Sequence, residues 1–323
     1  MNAELAGIAG ALTPGFRQFL LVVGGLVVAS IVLAGAASFG PPVLARRVRV
    51  INRYVLLVVL AGIVLFPIYI TVVNSFLTPD RIAARPPTLV PPSLEFGVYG
   101  KAWNQGHISS YLFNSLIVTL LIVSGQLLTS ICAGYAFAFL EFPLRRTIFV
   151  VFLATLMVPF EVVFFTNLQT VVSLGKLPGV GQFVGLDTYG ALAIPFLATG
   201  FGAFLVRQAF LTLPRDLKDA AELDGYGHWR FMWRVAVPLA RPTVAALALF
   251  SFFGAWNQYL WPLVASDHYR TVQVGLRQLS RASLDEINVT FAGTVLAALP
   301  LVVLLLVFQK QLVRGLTAGA VKG

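Results

Sequence analysis

The sequence has 323 residues, of which 58% are hydrophobic and 11% are charged. Its mean hydropathy of +0.85 lies far outside the range of soluble domains. The composition therefore indicates an integral membrane protein and excludes the soluble classes. The formal net charge is +10, but no DNA- or RNA-binding motif accompanies it, so no nucleic-acid partner is expected.

Long apolar runs recur along the chain. A bilayer core of about 30 Å needs roughly 20 apolar residues per helix, whereas the strands of a membrane barrel alternate apolar and polar residues. These runs are continuously apolar, so the sequence predicts an all-α membrane protein with six core spans after residue 50 and one extra span before it. The runs lie at about 18–40, 54–79, 108–140, 147–175, 188–206, 243–266 and 289–309.

The first run has two interpretations. Residues 19–33, followed by Ala34-Gly35-Ala36, have the layout of a signal peptide with its cleavage site. A retained helix is the preferred interpretation. Residues 1–50 are then predicted to hold an extra N-terminal transmembrane helix with a basic cytoplasmic linker, and residues 51–323 to form the main transmembrane domain.

Basic residues predict the orientation, because they collect in short loops on the cytoplasmic side of a membrane. If the linker with Arg46, Arg47, Arg49 and Arg53 lies inside, the loop at 207–241 and the C-terminal tail also lie inside. Two large segments then fall outside. They are the proline-rich segment 77–107 and the segment 266–288, which either dock an external binding protein or simply cap the bundle.

Metal and nucleotide sites are not expected in this chain. Cys132 is the single cysteine, and His107, His228 and His268 fall in three different predicted loops, so neither a disulfide nor a clustered metal site follows. The segment Gly175-Lys176-Leu177 lacks the Ser or Thr and the upstream glycine spacing of a phosphate-binding loop.

The loop at about 212–242 carries charges and glycines between two apolar runs. A helix is predicted from about 214 to 224, because Pro214 suits a first helical turn and acidic residues follow it. Gly225 and Gly227 are expected to break this helix, because glycine can adopt the positive φ that ends a helix. A second helix is predicted from about 228 to 237, where aromatic and basic residues are also typical of a membrane interface.

The run Asp219-Ala220-Ala221-Glu222-Leu223-Asp224-Gly225, followed by Pro238, resembles the EAA loop of inner-membrane permease subunits from binding-protein-dependent ABC importers. Two positions depart from the family pattern, since Asp219 replaces a glutamate and Tyr226 replaces an alanine. Other segments in family order extend the resemblance to roughly residues 50–323 and to the carbohydrate class of maltose or glycerol-3-phosphate type. They include Tyr135-Ala136-Phe137-Ala138, Phe204-Leu205-Val206-Arg207-Gln208, Trp256-Asn257-Gln258-Tyr259-Leu260-Trp261-Pro262 and the tail from Gly315.

The resemblance implies a six-helix type I ABC importer transmembrane domain in the bacterial inner membrane. The chain would be a permease without enzyme activity, paired with a second, homologous permease subunit as a heterodimer. A cytosolic ABC ATPase dimer would bind ATP and Mg²⁺, and an external solute-binding protein would deliver the solute. The implied ATPase-coupling residues are Asp219, Ala220, Ala221, Glu222, Asp224, Gly225 and Pro238. The implied tail residues near the ATPase are Ala320, Val321, Lys322 and Gly323.

Polar groups at membrane depth are the candidates for the solute path, because such groups are costly in hydrocarbon and tend to face the bundle interior. Amides beside aromatic rings suit a hydroxylated solute, although helix packing and an aromatic belt explain the same residues. The candidates are Trp256, Asn257, Gln258, Tyr259, Glu161, Asn114 and Asn167.

Two functions follow from these features. The favoured one is the translocation subunit of an ATP-driven importer for a sugar or sugar-like solute, of oligosaccharide or glycerol-phosphate type. The alternative is a self-sufficient, ion-coupled secondary transporter, which would show inverted repeats and more ionisable residues within the membrane. Only Glu161 meets the last criterion.

Overall fold

The structure, a computed structural model, describes residues 42–85, 87–282 and 286–317, together with isolated positions between 21 and 35. Regular structure in these residues is helical throughout. The described helices are α1 (Pro42–Asn74), α2 (Pro79–Ala83), α3 (Gly97–Asn104), α4 (Ile108–Phe139), α5 (Arg145–Ala154), α6 (Phe160–Gly175), α7 (Gly181–Val184), α8 (Tyr189–Ala193), α9 (Gly200–Leu211), α10 (Asp216–Leu223), α11 (His228–Phe231), α12 (Val237–Leu239), α13 (Arg241–Trp256), α14 (Leu260–Ala265), α15 (Val272–Ala282) and α16 (Ile287–Thr317).

Three described helices are long and apolar enough to cross a membrane, over Arg46–Asn74, Ile108–Phe139 and Ile287–Gln309. Three bent helix pairs bring the total to six if each pair is one span. The described residues therefore match the six spans predicted after residue 50. The bent pairs are Arg145–Met157 with Phe160–Gly175, Tyr189–Phe196 with Gly200–Leu211, and His228–Leu239 with Arg241–Trp256.

The first bent pair turns by 100° at Val158 and Pro159. Val158 has an extended backbone, with ψ of 113°, because a following proline disfavours the helical conformation. Pro159 then occupies the N-cap of α6, and Glu161 falls in the first turn of that helix, where the helix dipole favours a carboxylate.

The predicted span over 243–266 is interrupted, because α13 ends at Trp256 and α14 begins only at Leu260. Asn257 forms the C-cap of α13, and its side-chain Nδ2 donates to the Phe253 carbonyl at 2.9 Å. This local bond competes with continuation of the helix, as short amide side chains commonly do. A polar break therefore interrupts an apolar run.

The chain divides into two compact units. One contains Met1–Gly106 and Leu279–Leu296, and the other contains His107–Gln278 and Ala297–Gly323. In the second unit, α4 packs against α9 and α13. Gly134 permits close approach of α4 and α9, since a Cβ there would lie 2.9 Å from the Arg207 backbone nitrogen. Small residues at helix contacts serve the same purpose in membrane proteins generally.

In the first unit, α1 runs across the predicted domain boundary between residues 50 and 51, and that boundary stays a prediction. The proline-rich segment is partly helical rather than extended, because Pro79 occupies the first turn of α2, where its missing N–H costs nothing. Tyr69 donates to the Leu89 carbonyl at 2.6 Å, which ties this segment to α1.

Two predictions fall on the remaining positions. The tail residues Ala320, Val321, Lys322 and Gly323 lie outside the described residues. The extra span at about 18–40 lies mostly outside them, apart from isolated positions.

Candidate functional site

The segment predicted to meet the ATPase contains α10, a glycine turn and α11. Helix α10 begins at Asp216 rather than near 214 and ends at Leu223. Gly225 has φ of +75°, and its N–H bonds to the Glu222 carbonyl while the Tyr226 N–H bonds to the Ala221 carbonyl, at 3.0 and 2.8 Å. These two bonds form a Schellman motif. The predicted role of Gly225 as a helix terminator is confirmed. The same prediction is wrong for Gly227, which has φ of −75° and occupies the N-cap of α11.

One face of this segment packs on the transmembrane helices and the other is open. Ala221 is 7% exposed and belongs to a buried cluster with Phe210 and Phe231. By contrast, Leu223 is 90% exposed and Trp229 is 66% exposed. Large apolar side chains exposed on a segment between spans indicate a contact surface. The name coupling face is used below for the exposed residues Leu217, Leu223 and Trp229.

The charged residues of α10 lie around this face. Lys218 and Glu222 form an i,i+4 ion pair at 3.1 Å, worth only tenths of a kcal/mol in an isolated helix, about 0.2–0.5. Asp219 is exposed in the first turn, where the dipole favours its carboxylate. Ala220 and Asp224 are also exposed. Glu222 and Asp219 are therefore available to a partner.

Helix α11 docks on α4 through aromatic rings and one polar contact. The Tyr135 hydroxyl lies 3.0 Å from Nδ1 of His228, and the Phe231 ring meets the Phe139 ring edge to face at 5.4 Å. Tyr226, one of the two residues that depart from the family pattern, is half-buried beneath the Arg230 guanidinium, which lies 5.3 Å from the centre of the Tyr226 ring. Its bulk therefore lies partly within the fold.

A π-helix over Met232–Ala236 leads from α11 into α12, which contains Pro238. Proline has no N–H to continue a helical bond pattern, and a π turn is a common way to absorb such a disruption near a functional segment. The chain then bends by 83° between the helical segment His228–Leu239 and α13. Pro238 thus lies where the segment turns into a span, not on the coupling face.

The predicted loop at 207–241 begins too early, because Arg207 lies inside α9. Its guanidinium is held by local partners. The guanidinium is 4.2 Å from the centre of the Phe149 ring, and its Nε donates to the Phe137 carbonyl at 3.2 Å. Such a carbonyl in the last turn of α4 has no partner within its own helix.

The solute-path candidates at the end of α13 and just beyond it differ in environment. Trp256 is 2% exposed, stacks on Phe252 at 5.5 Å, and donates from Nε1 to the Ala297 carbonyl. Asn257 is exposed, and its Oδ1 accepts from Gln273 at 3.3 Å. The Oε1 of Gln258 is buried without a hydrogen-bond partner among the described residues, which is costly unless a water or ligand satisfies it. Tyr259 is 37% exposed.

The other solute-path candidates lie in separate networks. Asn114 accepts from the Tyr189 hydroxyl at 2.7 Å and donates to the Arg270 carbonyl at 3.1 Å, so its amide is already bonded within the chain. Glu161 is exposed at the start of α6, and Asn167 is half-buried further along that helix. All seven candidates stay predictions.

Asp187, which precedes α8, bonds to the segment 266–288 that was predicted to lie outside the membrane. Its Oδ1 accepts from the Ser266 hydroxyl at 2.6 Å and from the backbone N–H groups of Asp267 and His268 at 3.1 and 2.8 Å. These bonds, the Ser266 hydroxyl foremost, lower the pKa of Asp187 below its ordinary value. Its own N–H donates to the Ala265 carbonyl at 2.8 Å.

Sequence reasoning did not pair Tyr135 with His228, Asn257 with Gln273, or Asp187 with Ser266. The partners are 93, 16 and 79 residues apart. No local pattern signals such a pair. Only the excess of polar groups near the ends of apolar runs could have marked Asp187 and Gln273 as candidates.

Comparison with known proteins places this geometry in context. Residues 125–318 match the family described as binding-protein-dependent transport system inner membrane component. The matched range contains the glycine turn, the coupling face and Asn257.

Similar whole-length proteins are also known. The sn-glycerol-3-phosphate transport system permease proteins UgpE of Yersinia enterocolitica and Rhizobium meliloti are each 34% identical to the chain, over 281 and 283 residues. Each match covers 84% of this chain and 97% of the relative.

A chain from a crystal structure of a bacterial ABC transporter involved in the import of the acidic polysaccharide alginate has a similar fold. Its TM-score is 0.71 at 23% identity, and the match covers 84% of this chain and 98% of that chain. A second alginate transporter structure, in complex with an alginate pentasaccharide-bound periplasmic protein, gives 0.57 at 14% identity, covering 81% and 93%. The predicted six-helix type I ABC importer fold is confirmed.

Proposed function

Because the chain belongs to the family of binding-protein-dependent transport system inner membrane components, we propose that it is the translocation subunit of an ATP-driven importer for a sugar or sugar-like solute. Family membership makes it a multi-pass protein of the inner membrane and a permease component of an ABC importer. In this proposal ATP and Mg²⁺ bind to a cytosolic ATPase dimer, which acts on the segment from Asp219 to Gly225.

The observation that carries the proposal is the coupling face. Leu223 is 90% exposed and Trp229 is 66% exposed on a segment in which a Schellman turn fixes the end of α10. Burial of such side chains is worth roughly 1.5–3 kcal/mol each. A groove on the ATPase subunit would recover this free energy, and the short side chain of Ala220 beside it permits close approach.

The remaining partners follow from the same family. A second, homologous permease subunit completes the pathway as a heterodimer, and lipid covers the outer apolar surface. An external solute-binding protein delivers the solute, in line with the periplasmic protein that is bound in one of the similar transporters. The tail residues Ala320, Val321, Lys322 and Gly323 are proposed to reach toward the ATPase dimer.

The solute is proposed to be a glycerol phosphate or an oligosaccharide. Relatives 34% identical over most of their length are sn-glycerol-3-phosphate permeases, which favours the first. Asn257 and Gln258 supply amides directly before Tyr259 in the sequence, a combination that suits hydroxylated solutes. Trp256, Glu161, Asn114 and Asn167 complete the proposed path.

Affinity purification of the tagged chain from its native membrane tests the proposal. We expect an ATPase subunit and a second permease to co-purify. After reconstitution with the binding protein, we expect ATP-dependent uptake of sn-glycerol 3-phosphate, with maltotriose as the oligosaccharide probe. Uptake by the chain alone, driven by an ion gradient and independent of ATP, would overturn the proposal and establish a secondary transporter instead.

A further inference from the structure

A hydrogen bond between residues far apart in the sequence joins α11 to α4. The hydroxyl of Tyr135 in α4 and Nδ1 of His228 at the start of α11 are 3.0 Å apart, and 93 residues separate them in sequence. The two rings also meet nearly edge to face, with centroids 6.1 Å apart. Tyr135 is 5% exposed, so its hydroxyl is held in a defined position.

The rings around this bond are apolar. Tyr135 contacts Phe139, Phe210 and Phe231 at centroid distances of 5.2, 6.4 and 6.4 Å. Contacts between rings hold α11 against α4 and α9, but they tolerate small sliding because each atom pair attracts weakly and ring pairs are favourable over centroid distances of about 4.5–7 Å. A hydrogen bond weakens steeply when its angle changes. The Tyr135–His228 bond therefore fixes the register of α11 on α4.

The bond lies beside an open cleft and next to the coupling face. The cleft is lined by Glu141, Lys218, Glu222 and His228, among others. Trp229, which follows His228 directly, is 66% exposed. A partner that holds Trp229 would thus pull on the residue adjacent to the bond, and the cleft leaves α10 room to move against α4.

We propose that Tyr135 and His228 are positioning residues that transmit movement of the coupling face to α4, an inference that rests on the proposed function. Without the bond, the aromatic cluster still holds α11 against α4. Helix α11 can then slide on α4, so that α4 moves less than the coupling face does. Helix α4 passes the movement on because it packs against α9 and α13, the latter leading directly to Asn257. The residues act through their neighbours and have no contact with ATP in this scheme.

The test uses the complete complex in proteoliposomes, with variants that remove one bonding group at a time. Tyr135→Phe keeps the ring, His228→Leu removes the imidazole, and His228→Asn places an amide near the former Nδ1. Tyr99→Phe is the matched control, since its hydroxyl bonds to Ser75 at 2.6 Å in the other compact unit. The readout is the rate of ATP hydrolysis with the external binding protein divided by the rate without it. Both sn-glycerol 3-phosphate and maltotriose are present in each measurement.

We expect Tyr135→Phe and His228→Leu each to lower this ratio about fivefold, the range a single net hydrogen bond supplies in an equilibrium. The double variant should be no lower than either single variant, because both remove the same bond. His228→Asn should restore most of the ratio, and Tyr99→Phe should leave it unchanged. The amount of co-purified ATPase should be the same in all variants.

Two results would overturn the inference. One is an unchanged ratio in both single variants, and the other is a double variant whose loss is the product of the two single losses. Failure of the proposed function is a separate outcome, since in that case no ATPase co-purifies with the unaltered chain.

Discussion

The Arg207 guanidinium lies 4.2 Å from the centre of the Phe149 ring while its Nε donates to the Phe137 carbonyl, so one side chain ties α9 to both α5 and the end of α4. A cation over an aromatic face is worth about 0.5–2 kcal/mol. A planar guanidinium provides the stacking and the directed bond together, which a lysine cannot do.

Replacement of this side chain should therefore lower stability. We expect Arg207→Met to reduce the free energy of unfolding by about 1–2 kcal/mol, since it loses both the stacking and the hydrogen bond. Thermal unfolding of the purified protein in detergent, followed by tryptophan fluorescence, measures the change. Arg207→Lys should recover less than half of the loss. If the lysine variant is as stable as the unaltered chain, charge alone matters and the stacking argument is incorrect.

The close contact between α4 and α9 makes a second prediction. A Cβ on Gly134 would lie 2.8 Å from Val206 Cγ1 and 2.9 Å from the Arg207 backbone nitrogen, and backbone cannot move aside cheaply. We expect Gly134→Ala to lower the free energy of unfolding by about 1–3 kcal/mol, the usual range for overpacking. Thermal unfolding in detergent is again the measurement.

Gly254→Ala is the matched control for this substitution. Gly254 lies inside α13, and a Cβ added there would have no atom of a neighbouring described residue within 4 Å, while alanine is the better helix former. The control should therefore be as stable as the unaltered chain or slightly more stable. Equal stability of the two variants would show that α4 and α9 do not approach closely at Gly134.

The sequence predicts features that depend on neighbouring residues better than it predicts contacts between residues far apart in the chain. The six spans after residue 50 follow from run length, and the turn at Gly225 follows from one residue's freedom to adopt positive φ, so both were predictable. The break at Asn257 was missed because its side-chain bond to Phe253 competes with an otherwise apolar helix. The Tyr135–His228 pair was missed because the packing of α11 on α4 brings it together.

Asp187 gives a prediction about pH. Its pKa is lowered in the folded protein, first by the Ser266 hydroxyl and then by the His268 N–H. A carboxylate with a depressed pKa contributes stability above its unfolded pKa of about 3.9, and this is lost as pH falls toward the folded value. For the backbone N–H groups of Asp267 and His268, we compare the hydrogen-exchange rate with the rate in an Asp187→Asn reference. We expect this ratio of rates to rise below about pH 4.

Asparagine is the suitable reference because Asp187 has φ of +61°, a conformation that asparagine tolerates better than most residues. It keeps the shape and an acceptor oxygen but does not titrate. Hydrogen exchange measured at several pH values separates the two proteins. A constant ratio of exchange rates from about pH 6 to about pH 3, on either side of the ordinary carboxyl pKa, would mean that the carboxylate charge does not hold the turn.

Trp256 and Asn257, the last residue of α13 and its C-cap, should respond differently to substitution. Trp256 is 2% exposed and bonded to the Ala297 carbonyl, so Trp256→Ala should cost about 3–5 kcal/mol of stability. Asn257 is exposed and shares a bond with Gln273. Asn257→Ala should leave stability nearly unchanged but raise the KM for uptake several-fold, since an amide contact to solute is worth about 1 kcal/mol. Uptake kinetics and thermal unfolding together separate the two effects.

The glycine turn yields the last prediction. Gly225 has φ of +75° with open space around its Cβ position, so a substitution there is opposed by backbone strain and not by packing. The left-handed conformation costs an L-residue roughly 1–2 kcal/mol. We expect Gly225→Asp to lower uptake per ATP hydrolysed about fivefold or more, because strain of this size destabilises the turn that orients Leu223, while the helical bundle remains folded.

Gly227→Asp is the control, as it adds the same charge two residues away. Gly227 has φ of −75° and also has open space, and it occupies the N-cap of α11, where aspartate is favoured. Its uptake per ATP should match that of the unaltered chain. Equal losses in both variants would assign the effect to negative charge near the coupling face, whereas a loss confined to Gly225→Asp assigns it to the left-handed turn.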